Sequence, residues 1–218
     1  MPTAPAWLRF SIVAAVLVAS AFALDGWVYD HVVYARVYEE DWGRLLRVQG
    51  FWPLWLLAAV ALVLNDWPAR AAGRLYPALM RGYLLLASAT AAGLLGEVLK
   101  LLFRRERPRA HDGEYFFRAF TDRPFSSSGL ALPSSHTIVA FGAASMLARL
   151  FPRAWPIWFA LAAGCGLTRV LVQAHFASDV VVAALAGWAV AAALWRWHLR
   201  RLKRISAPVS DSAGTPAR

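Results

Sequence analysis

Six long apolar runs constrain this chain more than any other feature: roughly residues 7–24, 51–67, 82–103, 134–151, 154–173 and 176–197. A helix that crosses a bilayer needs about 20 mostly apolar residues. The runs meet that length approximately, and they leave little chain for anything else. With 59% hydrophobic side chains and 11 Trp among 218 residues, and a mean hydropathy of +0.47, the composition is too apolar for an ordinary soluble domain. The expectation is an all-α integral membrane protein with about six transmembrane helices. It forms one domain over residues 1–205, followed by a disordered cytoplasmic tail at 206–218, where Ser, Pro, Gly and Thr dominate. Trp27, Trp42, Trp52, Trp67, Trp155 and Trp195 fall near run ends, where aromatic rings sit at the membrane interface.

The first run has a second reading. Arg9, an apolar stretch and the small residues Ala19 to Ala23 resemble a secretory signal with its cleavage site. An uncleaved anchor fits better, because one Arg makes a thin basic region and the apolar stretch is long for a signal. With the amino terminus inside, Arg9, Arg70, Arg74, Arg81, Arg149, Arg153, Arg196, Arg200, Arg201, Lys203, Arg204 and Arg218 are cytoplasmic, which is 12 of the 23 basic residues. The raw count is nearly even, and the cluster Arg196 to Arg204 decides it. These juxtamembrane cations account for the basic character by meeting anionic headgroups. No nucleic-acid motif is present.

Three short patterns lie in the second half. Lys100 is followed by Arg107-Pro108, then comes Pro133-Ser134-Ser135-His136, then Thr168-Arg169 with His175 and Asp179. Lys100, Arg107 and Arg169 are cations suited to phosphoryl oxygens. His136 and His175 supply a proton donor and a nucleophile. Asp179 stands four residues after His175, so a continuous helix would put both on one face, with the carboxylate orienting the imidazole. In the six-span topology these positions all fall at outer span ends. Each piece alone has a plainer reading. Lys100 with Arg104 and Arg105 could be a snorkelling interfacial anchor, and Pro133 to Ser135 could be a helix cap. Asp179 could complement a helix dipole. No histidine pair has zinc-ligand spacing, so no metal or other cofactor is expected. Cys165, alone and mid-span, forms no intrachain disulfide. The segment 104–132 alternates charges with Tyr115, Phe116, Phe117, Phe120 and Phe125. It is either a loop that shapes lipid entry at the headgroup layer or a poorly ordered one.

Over residues 97–180 the ordered conjunction of these patterns resembles the type 2 phosphatidic acid phosphatase (PAP2) superfamily. The resemblance implies a PAP2-like helical bundle in which His175 attacks phosphorus and Asp179 orients it. His136 would protonate the leaving alkoxide and then activate water. Lys100, Arg107, Ser134, Ser135 and Arg169 would bind the phosphate, with no Mg²⁺ required. Two positions depart from the family pattern: Ser135 stands where Gly is common, and Thr168 where Ser is common. The expected function is a metal-independent lipid phosphatase of a bacterial inner membrane, facing the periplasm. Its substrate would be phosphatidic acid, phosphatidylglycerol phosphate, undecaprenyl diphosphate or lipid A. A phosphotransferase using the same phosphohistidine and a non-catalytic protein binding anionic lipids are the alternatives. The expected partners are a phosphorylated lipid and the bilayer; the sequence names no protein partner.

Overall fold

The computed structural model describes residues 5–68, 73 and 75–206. Among them are seven α-helices and no strand: α1 (Ala6–His31), α2 (Asp41–Val48), α3 (Trp52–Asp66), α4 (Leu75–Phe103), α5 (Ser135–Leu150), α6 (Trp155–Leu171) and α7 (Ala177–Ser206). Arg70, Arg74 and the predicted tail beyond Ser206 lie outside the described residues. Each of the six apolar runs is a helix. The number able to cross a bilayer alone is smaller than six, however. Trp7–His31, Ala78–Phe103, Pro152–Leu171 and Ala177–Arg204 are long and apolar enough, and α2 with α3, bent by 68° at their junction, makes a fifth. At 16 residues, α5 rises only about 24 Å against a hydrocarbon core of about 30 Å.

The short helix is tolerated because it is wrapped by protein. α5 packs against α4, α6 and α7, and ten of its residues are buried, from Thr137 to Leu147. Backbone that is not helical at membrane depth has to be sheltered in this way. Small residues allow the close approach: a Cβ at Gly187 would lie 2.5 Å from the Ile138 carbonyl oxygen and 2.8 Å from the Gly142 nitrogen. α5 and α7 therefore touch backbone to backbone, as membrane helices with small interfacial residues do. In contrast, α1 packs mainly on α7 and leaves Ile12, Val13, Val16, Leu17 and Leu24 exposed on its outer face, which suits lipid.

The segment between α4 and α5 is built, not loose. Arg104 donates to the carbonyls of Arg118 (3.1 Å), Ala119 (2.9 Å), Asp122 (2.5 Å) and Pro124 (3.3 Å). Arg118 in turn pairs with Glu106 at 2.6 Å and donates to the Ser128 carbonyl at 2.9 Å. Isolated bridges join Arg105 to Phe117 and Glu106 to Leu130. An anchor snorkelling to the interface would be exposed, whereas Lys100, Arg104 and Arg105 are 5%, 1% and 0% exposed. That reading of the three cations is overturned: buried backbone carbonyls and carboxylates hold them inside.

Candidate active site

The end of α4, the start of α5, the end of α6 and the start of α7 meet at one end of the bundle. Direct bonds tie them. The Ser134 N–H donates to the Asp179 carbonyl at 3.3 Å, and Lys100 donates to the Ser135 hydroxyl. The charges acting on His136 are Arg169, His175, Arg47 and Lys100. All eight sequence-predicted residues, Lys100, Arg107, Ser134, Ser135, His136, Arg169, His175 and Asp179, thus belong to one constellation.

His175 does not share a helix with Asp179, contrary to the expectation from their spacing. The chain turns after α6 through Gln173, whose φ is +55°, and α7 begins only at Ala177. The two side chains meet nonetheless, with His175 Nδ1 3.6 Å from Asp179 Oδ2. That is an ion-pair distance, longer than a hydrogen bond. Asp179 Oδ2 accepts the Phe176 N–H at 2.8 Å, and Oδ1 accepts from Arg105. The imidazole is 3% exposed, and its Nδ1 lacks a hydrogen-bond partner. Burial pushes its pKa down to about 4, partly offset by Asp179. A buried imidazole kept neutral in this way is a competent nucleophile.

Arg107 and Arg169 act on each other as like charges, and Arg107 also acts on Lys100. Partial burial, and then the charge of Arg169, push the Arg107 guanidinium down from its ordinary range, although the residue as a whole is exposed. Arg169 is buried, donates to the Tyr38 hydroxyl at 2.9 Å and leaves its Nε without a partner. At the start of α5, Ser134 occupies the cap position, but no side chain caps the helix. Its hydroxyl instead accepts from Thr137 at 3.0 Å. Uncapped N–H groups at a helix start are suited to phosphate. Convergent cations, an open helix start and two imidazoles can neutralise a phosphoryl group and move protons around it.

The departure at Ser135 has a local partner. Its hydroxyl donates to Glu97 Oε1 at 2.7 Å, and Glu97 also lies 3.4 Å from Lys100 Nζ and accepts from Ser127 at 2.5 Å. The extra side chain is thereby turned toward α4. The sequence reading missed Glu97, Arg105, Asp25, Tyr38 and Arg47. Arg47, on amphipathic α2, stacks on Tyr38 at 4.7 Å and lines a cavity of about 280 Å³ with Arg44, Val48, Phe51 and His136. Gly50 admits His136 there, since a Cβ would lie 2.5 Å from the His136 Cβ. Only the i, i+3 charge pattern of residues 41–47 signalled this helix in the sequence.

Residues 81–203, more than half of the chain, match the family model described as PAP2 superfamily. The chain belongs to the PAP2 superfamily. It is 40% identical over 112 residues to a lipid A 1-phosphatase of Rhizobium etli, covering 49% of this chain and 46% of that protein. It is 39% identical over 104 residues to a lipid A 1-phosphatase of Rhizobium johnstonii, covering 46% and 41%. The match thus spans less than half the length of these curated relatives. No solved structure matches the chain. As a PAP2 member it is all-helical with apolar helices, and the eight sequence-predicted site residues fall within the matched region, whereas Tyr38 and Arg47 lie outside it.

Proposed function

We propose that this protein is a metal-independent lipid phosphatase that works through a phosphohistidine. The observation that carries the reading is the convergence of two imidazoles with Lys100, Arg107 and Arg169 at one end of the bundle. Nδ1 of His175 faces Asp179, so Nε2 attacks phosphorus while the bond to the lipid oxygen breaks. With the phosphoryl anion bound among the cations and offsetting them, His136 is protonated and gives its proton to that departing oxygen. It then takes a proton from water as the water oxygen bonds to phosphorus and the N–P bond breaks, releasing inorganic phosphate. The three cations offset the charge of the phosphoryl oxygens, and most of the catalysis is positioning and charge neutralisation.

The relatives' name favours lipid A bearing a 1-phosphate over the other candidate lipids. Placement in the inner membrane with the site toward the periplasm is supported by the basic cluster at the carboxyl end of α7, opposite the site. The test is phosphate release by purified protein in nanodiscs with EDTA present. The lipids are lipid A, phosphatidylglycerol phosphate, phosphatidic acid and undecaprenyl diphosphate, and His175→Ala serves as the control. Release from lipid A by wild type, absent in the variant, is expected. Transfer of labelled phosphate to a second lipid, with none released, would replace hydrolysis by phosphotransfer. Binding without either reaction would leave a lipid-binding protein.

A further inference from the structure

Asp25 lies on α1, outside all three sequence patterns and outside the family-matched region, yet it is 2% exposed and fully engaged. Its Oδ1 accepts the Ser178 N–H at 2.8 Å. Its Oδ2 accepts from the Tyr115 hydroxyl at 2.7 Å and from the Ser178 hydroxyl. Arg105, 0% exposed, places Nη1 3.8 Å from Asp25 Oδ2 and donates from Nη2 to Ser178 Oγ at 2.7 Å and to Asp179 Oδ1. Phe22, Tyr115 and Phe176 enclose the guanidinium, with ring centroids 5.1, 5.0 and 4.9 Å away. With water excluded, its charges act on their neighbours more strongly than they would at a surface.

Two carboxylates, Asp25 and Asp179, share one guanidinium, leaving an excess of one negative charge beside His175. Buried excess charge is costly unless something offsets it. One group able to do so is the His175 imidazole, whose Nδ1 lies 3.6 Å from Asp179 Oδ2 and which becomes cationic when its nitrogen bonds to phosphorus. The other charged or titratable groups acting on His175 or on its immediate partners are Lys100 on α4, His136 on α5 and Arg169 on α6, with Arg107 acting on Lys100 and Tyr115 facing Asp25, Arg105 and Asp179. Of the cations, Lys100 is engaged by Ser135 and Glu97 and Arg169 by Tyr38, and the phosphatase reading assigns Lys100, Arg107 and Arg169 to the phosphate. Resting on the phosphohistidine reading above, we infer that Asp25 is a positioning residue for His175: through Ser178 and Arg105 it fixes Asp179 and supplies the second negative charge that stabilises the cationic imidazole.

Asp25→Asn keeps the shape and removes the charge. With p-nitrophenyl phosphate, kcat is expected to fall roughly 10- to 100-fold while vanadate affinity, which reads the phosphate side, changes less than about 3-fold. Attack needs neutral His175, so its pKa sets the acidic limb of kcat/KM. Losing a neighbouring negative charge moves that limb to lower pH by roughly 0.5–1 unit. Arg105→Gln removes a positive charge and moves it the opposite way, and Asp25→Glu restores part of kcat. Lower activity with an unmoved limb in both variants and no rescue by Glu would make the cluster merely structural and overturn the inference. If Asp25→Asn does not accumulate, Ser178→Ala takes its place: a kcat loss of roughly 5-fold at constant KM supports the role, and an unchanged kcat overturns it. Failure of wild type to turn over any substrate would instead sink the phosphohistidine reading itself.

Discussion

Both ends of the bundle are rich in arginine, but the two ends use it oppositely. At one end Arg104, Arg105 and Arg169 are 1%, 0% and 7% exposed, each tied to carbonyls, carboxylates or a phenol. At the other, Arg196, Arg200, Arg201, Lys203 and Arg204 stand exposed along the last turns of α7, and Arg81 pairs with Asp66 beside a largely apolar cavity of about 610 Å³. A cation at a membrane interface costs little, because its stem lies along apolar surface and its head reaches water. One buried in protein is tolerated only with partners. Sequence composition treats the two ends alike, and burial separates anchors from machinery.

The comparison breaks most visibly if the buried end is catalytically inert. His175→Ala is expected to lose roughly 10⁴-fold or more in turnover of both a lipid phosphate and p-nitrophenyl phosphate, since no substrate escapes the need for the nucleophile. His136→Ala behaves differently. The lipid alkoxide leaves slowly without a proton, whereas nitrophenolate needs little help. That variant should give a burst of nitrophenol stoichiometric with enzyme and then stall as phosphoenzyme, visible as acid-labile label. Equal loss for both substrates without trapped phosphoenzyme would exchange or remove the assignment.

Stability sharpens the same contrast. Arg105→Ala leaves Asp25 and Asp179 buried without their cation and should cost about 3–5 kcal/mol, read as a large drop in the unfolding midpoint in detergent. Arg200→Ala and Lys203→Ala at the other end should each stay within about 0.5 kcal/mol. Similar midpoints for all three would mean that burial does not separate the two ends.

The helices and the three patterns were legible because both depend on local spacing: apolar runs, and cations and histidines at fixed intervals. What the sequence hid is long-range or conformational. Arg105 looks like one more interfacial arginine beside Arg104, and only the fold brings Asp25 across from α1 to meet it. The i, i+4 interval from His175 to Asp179 suggested a helix. The chain turns instead at Gln173, and the pair meets across the end of α7. In the sequence Ser135 is only a departure from the family's usual Gly, and the fold supplies Glu97 as the partner of its hydroxyl.

Which end faces outward is a smaller and separate question. In a Cys165→Ser background, Asp112→Cys at the site end and Gly73→Cys at the other should label oppositely with a membrane-impermeant thiol reagent on intact cells. At least about a tenfold excess of label is expected at position 112, as the positive-inside pattern requires. Label at position 73 alone would turn the protein over and put the site in the cytoplasm.

The smallest effect belongs to the rim of the site end. Phe125 is 90% exposed at the tip of the built segment, and Phe120 and Phe117 are 67% and 57% exposed nearby. In water such a row would be a liability, whereas at a headgroup layer it holds the segment against the bilayer from which a lipid substrate arrives. Phe120 also lies over Arg104, 5.2 Å from ring centre to guanidinium, so altering it would disturb the fold of the segment. Phe125→Ser should therefore be the cleaner change. Partial insertion of one ring is worth about 1 kcal/mol, which corresponds to roughly a 3- to 5-fold rise in KM for a lipid presented in nanodiscs. The water-soluble p-nitrophenyl phosphate never passes through the bilayer, so its KM and kcat should not move, nor should the unfolding midpoint. A parallel rise in KM for both substrates would instead place Phe125 in the phosphate site, and no change for either would reduce the aromatic rim to a surface with no part in substrate delivery.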